Sequence, residues 1–157
     1  MKGKTDKRAA AKRPTIDEYF MRMAHLAATR STCVRRAVGA VIMKEKRVLT
    51  TGYNGAPKGM RHCEEVGCMR EKLRVPSGER HELCRGVHAE QNAIIQAAYF
   101  GVSIKDATMY ITNSPCSVCA KMIVNAGITS VIYEAGYPDE LALEVLNEAN
   151  VQVRKLG

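Results

Sequence analysis

Two short stretches hold residue types that do chemistry: His88 and Glu90 in HAEQNAI, and Cys116 and Cys119 in SPCSVC. Cysteines three apart at a helix start project their sulfurs from one face, so the spacing alone makes a chelate. It also suits a thiol redox pair, because a helix N-terminus lowers thiol pKa values. A third ligand separates the two readings. His88 also lies where a helix follows an irregular segment, and in an alternating α/β sheet two such helix starts can face one crevice. Two cysteines and one histidine match a catalytic zinc, whose fourth position stays open to water, whereas a structural zinc is closed by a fourth side chain. Glu90 is then the candidate proton carrier. Taken singly, a first-turn Glu usually serves the helix dipole and a His before a helix usually caps it.

Zinc makes water nucleophilic at neutral pH, able to attack the amidine carbon of a base. Glu90 would take the water's proton, pass it to the ring nitrogen and protonate the departing amine, a shuttle that needs a carboxylate beside the metal but not on it. HxE followed by PCxxC is the signature of the zinc-dependent nucleobase deaminases.

These residues need elements to hold them. TIDEYFMRMAHLAATR opens with a capping box, Thr15 and Glu18, and places Ile16, Phe20, Met23 and Ala27 on one face, predicting a helix that ends near Arg30 or Ser31. AVGAVIM and RVLTTGYNG, separated by KEKR, predict an antiparallel hairpin. Residues 55–86 show no period, are crowded with Cys, His, Gly and charge, and exceed the ~15 residues usual for a structureless loop. Then follow a helix (VHAEQNAIIQAAYF), a strand (ATMYITN), a helix (SPCSVCAKMIVNAG), a strand (TSVIYEA), a helix (PDELALEVLNEA) and a strand (VQVRKL). In the middle helix Ser114 is the expected cap, Pro115 the first helical residue and Gly127 the stop. The pattern predicts an α/β fold, a five-stranded mixed sheet with helices on both faces, as one domain over 15–157 after a basic flexible tail over 1–14.

Composition excludes fibrous and disordered classes: 46% of residues are hydrophobic and 25% charged, and the lack of Trp beside eight Met implies an aliphatic, Met-filled core. The uncharged runs fall short of the ~18 apolar residues of a membrane span, and the basic start leads into AAAKRP, so a cytoplasmic location is expected. In a reducing cytosol the six cysteines are metal ligands sooner than disulfides. Much of the +8 net charge lies before Pro14, in Lys2, Lys4, Lys7, Arg8, Lys12 and Arg13. Such a run either touches a polyanion or is a solvated arm, and without aromatics it gets no function and no nucleic-acid partner.

RSTCVRRAVGAVI, TTGYNGAPKGMRHC, HAEQNAI, YITNSPCSVCAKMIVNAGI and VIYEAGYPD resemble the deoxycytidylate (dCMP) deaminases, from about Thr15 to Val153. HAE and PCxxC are shared across the superfamily, whereas GYNG, NAI and the Cys-rich insertion narrow the resemblance to this branch. It implies the three-layer αβα cytidine-deaminase-like fold and zinc-dependent hydrolysis of dCMP to dUMP with release of ammonia. It also implies a homo-oligomer, with dCTP and dTTP as effectors in some members. By the same resemblance Asn54 bonds the nucleotide, the backbone of Ala89 and Ser114 reads the pyrimidine, and Ser31, Arg35 and Tyr137 lie near the 5′-phosphate. Arg35 and Arg36 are adjacent and either can turn inward to fork two phosphate oxygens. The GYNG glycines equally fit a plain turn.

Four or five soft ligands remain once the catalytic set is removed. A closed structural zinc would order the insertion, since its binding free energy is folding free energy, on the order of 10 kcal/mol; free buried thiols are the alternative. The resemblance implies Cys33, Cys63 and ligands from the segment before HAE, where Cys68 and Cys84 are the expected pair, with His81 as substitute. Two other functions share these motifs. A tRNA adenosine deaminase is opposed by the Tyr-Asn-Gly loop and GYPD, and a non-enzymatic zinc module has no use for Glu90.

Overall fold

The protein is described by a computed structural model covering residues 12–137 and 139–157. Of the basic tail expected over 1–14, all but the last three residues lie outside that range. Helix α1 (Ile16–Ala28) starts at the expected capping box: Thr15 Oγ1 accepts from the Glu18 amide at 3.2 Å and Glu18 Oε2 accepts from the Thr15 amide at 2.7 Å. Its buried face is Phe20, Met21, Ala24 and Ala28, not the predicted set, and Ile16 is exposed. The reason is close packing. A Cβ on Gly39 would sit 1.9 Å from the carbonyl oxygen of Ala24 and 2.6 Å from the amide of Ala28, so the helix presents its small residues to the strand.

Strands β1 (Gly39–Lys44) and β2 (Arg47–Tyr53) form the predicted antiparallel hairpin. Its two turn residues, Glu45 and Lys46, both take positive φ, 52° and 60°, the left-handed pair that matches strand twist. The insertion then contributes only short pieces: α2 (Cys63–Val66), α3 (Met69–Lys72) and a 3₁₀ turn at His81–Leu83. Regular alternation resumes with α4 (Ala89–Phe100), β3 (Thr108–Asn113), α5 (Ser117–Asn125), β4 (Ser130–Ala135), α6 (Glu140–Glu148) and β5 (Gln152–Lys155).

The sheet order is β2-β1-β3-β4-β5, antiparallel through β1 and parallel from β3 to β5, the five-stranded mixed sheet expected. Alternation along the strands builds a core on each face. Val41, Tyr110 and Ile132 pack under α1 with Phe20, Met21 and Ala24. Ile42, Met109, Ile111 and Val131 point the other way, against Ala93, Ala97, Ala120, Ile123 and Leu146 of α4, α5 and α6. Helices thus cover both faces, in three layers. No helix among the described residues is long and apolar enough to cross a membrane.

Two contacts fix the helices that matter below. A Cβ on Gly52 would lie 2.2 Å from the Ala89 carbonyl oxygen and 2.5 Å from the Ala93 amide, so α4 rests directly on β2. Thr50 Oγ1 donates to the Ala93 carbonyl at 3.0 Å beside it. At α5 the cap is Cys116, extended at φ −81° and ψ 168°, rather than Ser114. Ser114, just past β3, is still tied to β4, its amide donating to the Ala135 carbonyl at 2.8 Å, and Pro115 therefore precedes the cap.

Candidate active site

His88 caps α4, its amide donating to Gln91 Oε1 at 2.8 Å, and Cys116 caps α5. The two helix starts face each other. Nδ1 of His88 lies 3.6 Å from Cys116 Sγ and 3.4 Å from Cys119 Sγ. The ligand atoms of His88, Cys116 and Cys119 are within 4.8 Å of one another, and no other group of three His, Cys, Asp or Glu side chains among the described residues comes so close. Two sulfurs and an imidazole nitrogen at this spacing suit zinc.

Cys116 accepts from the Cys119 thiol, and although burial opposes this, that bond and one from His88 push its thiol down to about 3. Cys119, the donor in that bond, is pushed up. The bond to Cys116 raises His88 against the pull of burial. A divalent ion would displace these shared protons.

Glu90 stands in the first turn of α4, 4% exposed. Burial pushes its carboxyl up to about 7, against the opposing pull of the nearby His88 charge. A carboxyl poised there can both take and return a proton at neutral pH. It also shares a hydrogen bond with the side chain of Cys119, which puts it beside the ligand set.

His88, Cys116 and Glu90 border a cavity of about 590 Å³, the size range of small-molecule sites, with Cys119 fully buried behind them. Ala89 and Ser114 border it as well, at the two helix starts. Asn54 is on its wall, but its side chain is engaged within the protein: Oδ1 accepts from the Ser31 hydroxyl at 2.6 Å and the Val38 amide at 2.8 Å, and Nδ2 donates to the Arg36 carbonyl at 2.7 Å. Ser31 stands behind Asn54. Arg35 and Arg36 both reach the cavity, the first donating to the Val75 carbonyl and the second to Asn113 Oδ1, each at 3.3 Å. Tyr137 lies at the rim, 92% exposed, with Lys155 Nζ 5.2 Å over its ring.

Cys33, Cys63, Cys68 and Cys84 are free thiols that border the same cavity. Burial raises the Cys63 thiol, and the charges of Cys33, Cys84 and Cys68 add to the rise. Their sulfurs are nevertheless more widely spread than the catalytic set. His81 packs edge-on against His88, ring centroids 5.0 Å apart, and its buried Nδ1 has no hydrogen-bond partner.

Sequence reasoning did not name three residues of this site. Asp139 caps α6 through the Ala142 amide at 2.6 Å and also accepts from the Ser117 amide at 2.9 Å, fixing the first turn of α5; Pro-Asp-Glu before an apolar run was the readable signal. Asn113 orients Arg36, and Arg70 brings a buried guanidinium from the insertion. For these two no local pattern gave warning.

The model of the cytidine and deoxycytidylate deaminase zinc-binding region matches residues 14–135. The deoxycytidylate deaminase of Saccharomyces cerevisiae is 41% identical over 148 residues, which is 92% of this chain and 46% of the yeast protein. The chain thus spans a little under half the length of that relative. ComE operon protein 2 of Bacillus subtilis is 40% identical over 141 residues, 89% of this chain and 70% of that one. The crystal structure of the dCMP deaminase of cyanophage S-TIM5 in complex with dCMP and dUMP superposes with a TM-score of 0.72 at 31% identity, covering 93% of this chain and all of that one. Matched over most of its length, with its histidine and cysteine pair gathered at two helix starts, the chain belongs to the cytidine and deoxycytidylate deaminase zinc-binding family.

Proposed function

We propose that the protein hydrolyses dCMP to dUMP and ammonia. The observation that carries this reading is a buried carboxyl, poised near neutrality, beside a His-Cys-Cys set that opens onto a nucleotide-sized cavity. His88, Cys116 and Cys119 would hold zinc, which supplies Lewis acidity that makes water nucleophilic at neutral pH. Glu90 accepts one proton of the water and delivers it to N3 of the pyrimidine, then takes the second from the attacking oxygen as the C4 carbonyl forms and passes it to the leaving amine. Ala89, at the start of α4, borders the cavity, and its amide, which needs no intrahelical partner there, can orient the base. The S-TIM5 relative, crystallised with dCMP and dUMP, supports the choice of substrate.

The same reading covers the finer points. Asn54, Ala89, Ser114, Ser31, Arg35 and Tyr137 are proposed for nucleotide binding, the last three toward the phosphate. A second, structural zinc is proposed on Cys33, Cys63, Cys68 and Cys84, with His81 as substitute, supported by four free thiols around one cavity. The protein is proposed to be a cytoplasmic homo-oligomer, one deaminase domain over 15–157, open to dCTP and dTTP as effectors. The test is ammonia release from dCMP, CMP, deoxycytidine, dCTP and tRNA in parallel, with zinc counted on the same preparation. Turnover of dCMP above the rest is expected, with two zincs per chain. Activity on tRNA alone would overturn the substrate, and one zinc would remove the second site.

A further inference from the structure

Arg70 of α3 is 8% exposed, yet it enters none of the salt bridges found among the described residues. One guanidinium nitrogen donates to the Pro76 carbonyl at 3.2 Å, while its Nε is buried and without a partner. A buried cation with an unsatisfied donor is costly unless an anion completes it. Arg70 borders the same cavity as Glu90, His88 and Cys116.

The cavity wall offers Arg70 no carboxylate. Asp139 already accepts two backbone amides, and Glu90 is committed to the proton shuttle. The same wall carries Arg35 and Arg36 as well, with Arg35 tied to Val75 and Arg70 to Pro76, two guanidiniums held by consecutive carbonyls of one turn. Three guanidiniums and a proton carrier lining one cavity suit a ligand that joins an amine-bearing ring to an anionic group.

We infer that Arg70 is a specificity-determining residue: its unpartnered N–H donors take oxygens of the substrate's 5′-phosphate, so that the Cys-rich insertion selects nucleotide over nucleoside. This rests on the proposed dCMP reading. A guanidinium suits the role because its planar fork bonds two phosphate oxygens at once, which a lysine ammonium cannot do.

The zinc-loaded full-length protein and its Arg70→Gln and Arg70→Lys variants are compared on dCMP and on deoxycytidine, the same base without the phosphate. Arg70→Gln should lose roughly 10- to 100-fold in kcat/KM on dCMP, the size of a charged hydrogen bond, mostly through KM, and stay within about twofold of wild type on deoxycytidine. Arg70→Lys should recover part of the loss. Inorganic phosphate should raise the melting temperature of wild type and not of Arg70→Gln, a comparison that needs no turnover. Equal losses on both substrates, or an equal phosphate shift in both proteins, would overturn the assignment, as would loss of zinc from the variants, which would mark Arg70 as a counter-charge to metal-bound thiolates. Should Arg70→Gln fail to fold, the ratio of the two substrates in Arg70→Lys decides alone. If wild type deaminates neither pyrimidine, the proposed function falls and this assignment with it, whereas dCMP turnover with unchanged selectivity removes the assignment only.

Discussion

Glu90 is held in a place where a carboxylate is costly, which keeps its proton within reach at neutral pH. Its replacement by Gln removes proton transfer but keeps shape and hydrogen bonding, so Glu90→Gln should lower kcat on dCMP at least ~10²-fold, with zinc content and melting temperature unchanged. Metal analysis and steady-state kinetics on one sample check this, and a variant with normal turnover would show the proton to be carried elsewhere. At this scale the sequence was most legible. Chelation restricts which residue types can sit three apart at a helix start, so His88, Cys116 and Cys119 could be named from spacing. Arg70 and Asn113 could not, because their roles come from partners 6 and 77 positions away, Pro76 and Arg36, that no local pattern pairs with them.

Among the elements, α1, β3 and β5 are tied by one carboxylate. Burial raises Asp17, but the hydroxyl of Tyr110, at 2.7 Å, and the guanidinium of Arg154 bond to it and hold it below its ordinary 3.8. A depressed carboxyl stabilises the fold above the unfolded-state pKa and loses that contribution as pH falls through the folded value. Asp17→Asn should therefore cost about 1 kcal/mol at pH 7, and the gap to wild type should narrow as the pH falls past the ordinary 3.8 and on through the lower folded-state value. Denaturation curves of both proteins across pH give the comparison; a gap that stayed constant would mean that the ion pair contributes nothing. A second change probes the α1 to β1 contact. Gly39→Ala puts a methyl into the backbone of Ala24 and should destabilise by about 1–3 kcal/mol or more, read as a lower denaturation midpoint. That same contact explains why the apolar period of α1 pointed one residue aside. Periodicity weighs Ile16 and Met23 as heavier than alanine, whereas the strand at Gly39 requires the smallest side chains it can get. The α5 cap was misplaced for a related reason: Ser114 is a good cap by type, but its amide is held by β4.

At the scale of the molecule, the sheet and its layers were legible because strand and helix patterns alternate cleanly after the hairpin, whereas the order β2-β1-β3-β4-β5 was not, since alternation alone does not say beside which strand each new one is laid. The insertion was legible only as a region needing something to organise it. The catalytic metal would join the starts of α4 and α5, so chelation should lower the melting temperature as well as abolish ammonia release, and added zinc should restore both. Calorimetry with and without chelator tests this, and an unchanged melting temperature would show that the two helices are held by packing alone. The contact of α4 with Gly52 bears on how such an ion is gripped. With bare backbone against bare backbone there is no compliant cushion of side chains between sheet and helix, so His88 inherits the stiffness of the strand. One corner of a metal site would thereby be set before any ion arrives, and Asp139, which pins the first turn of α5, would do the same for the two sulfurs.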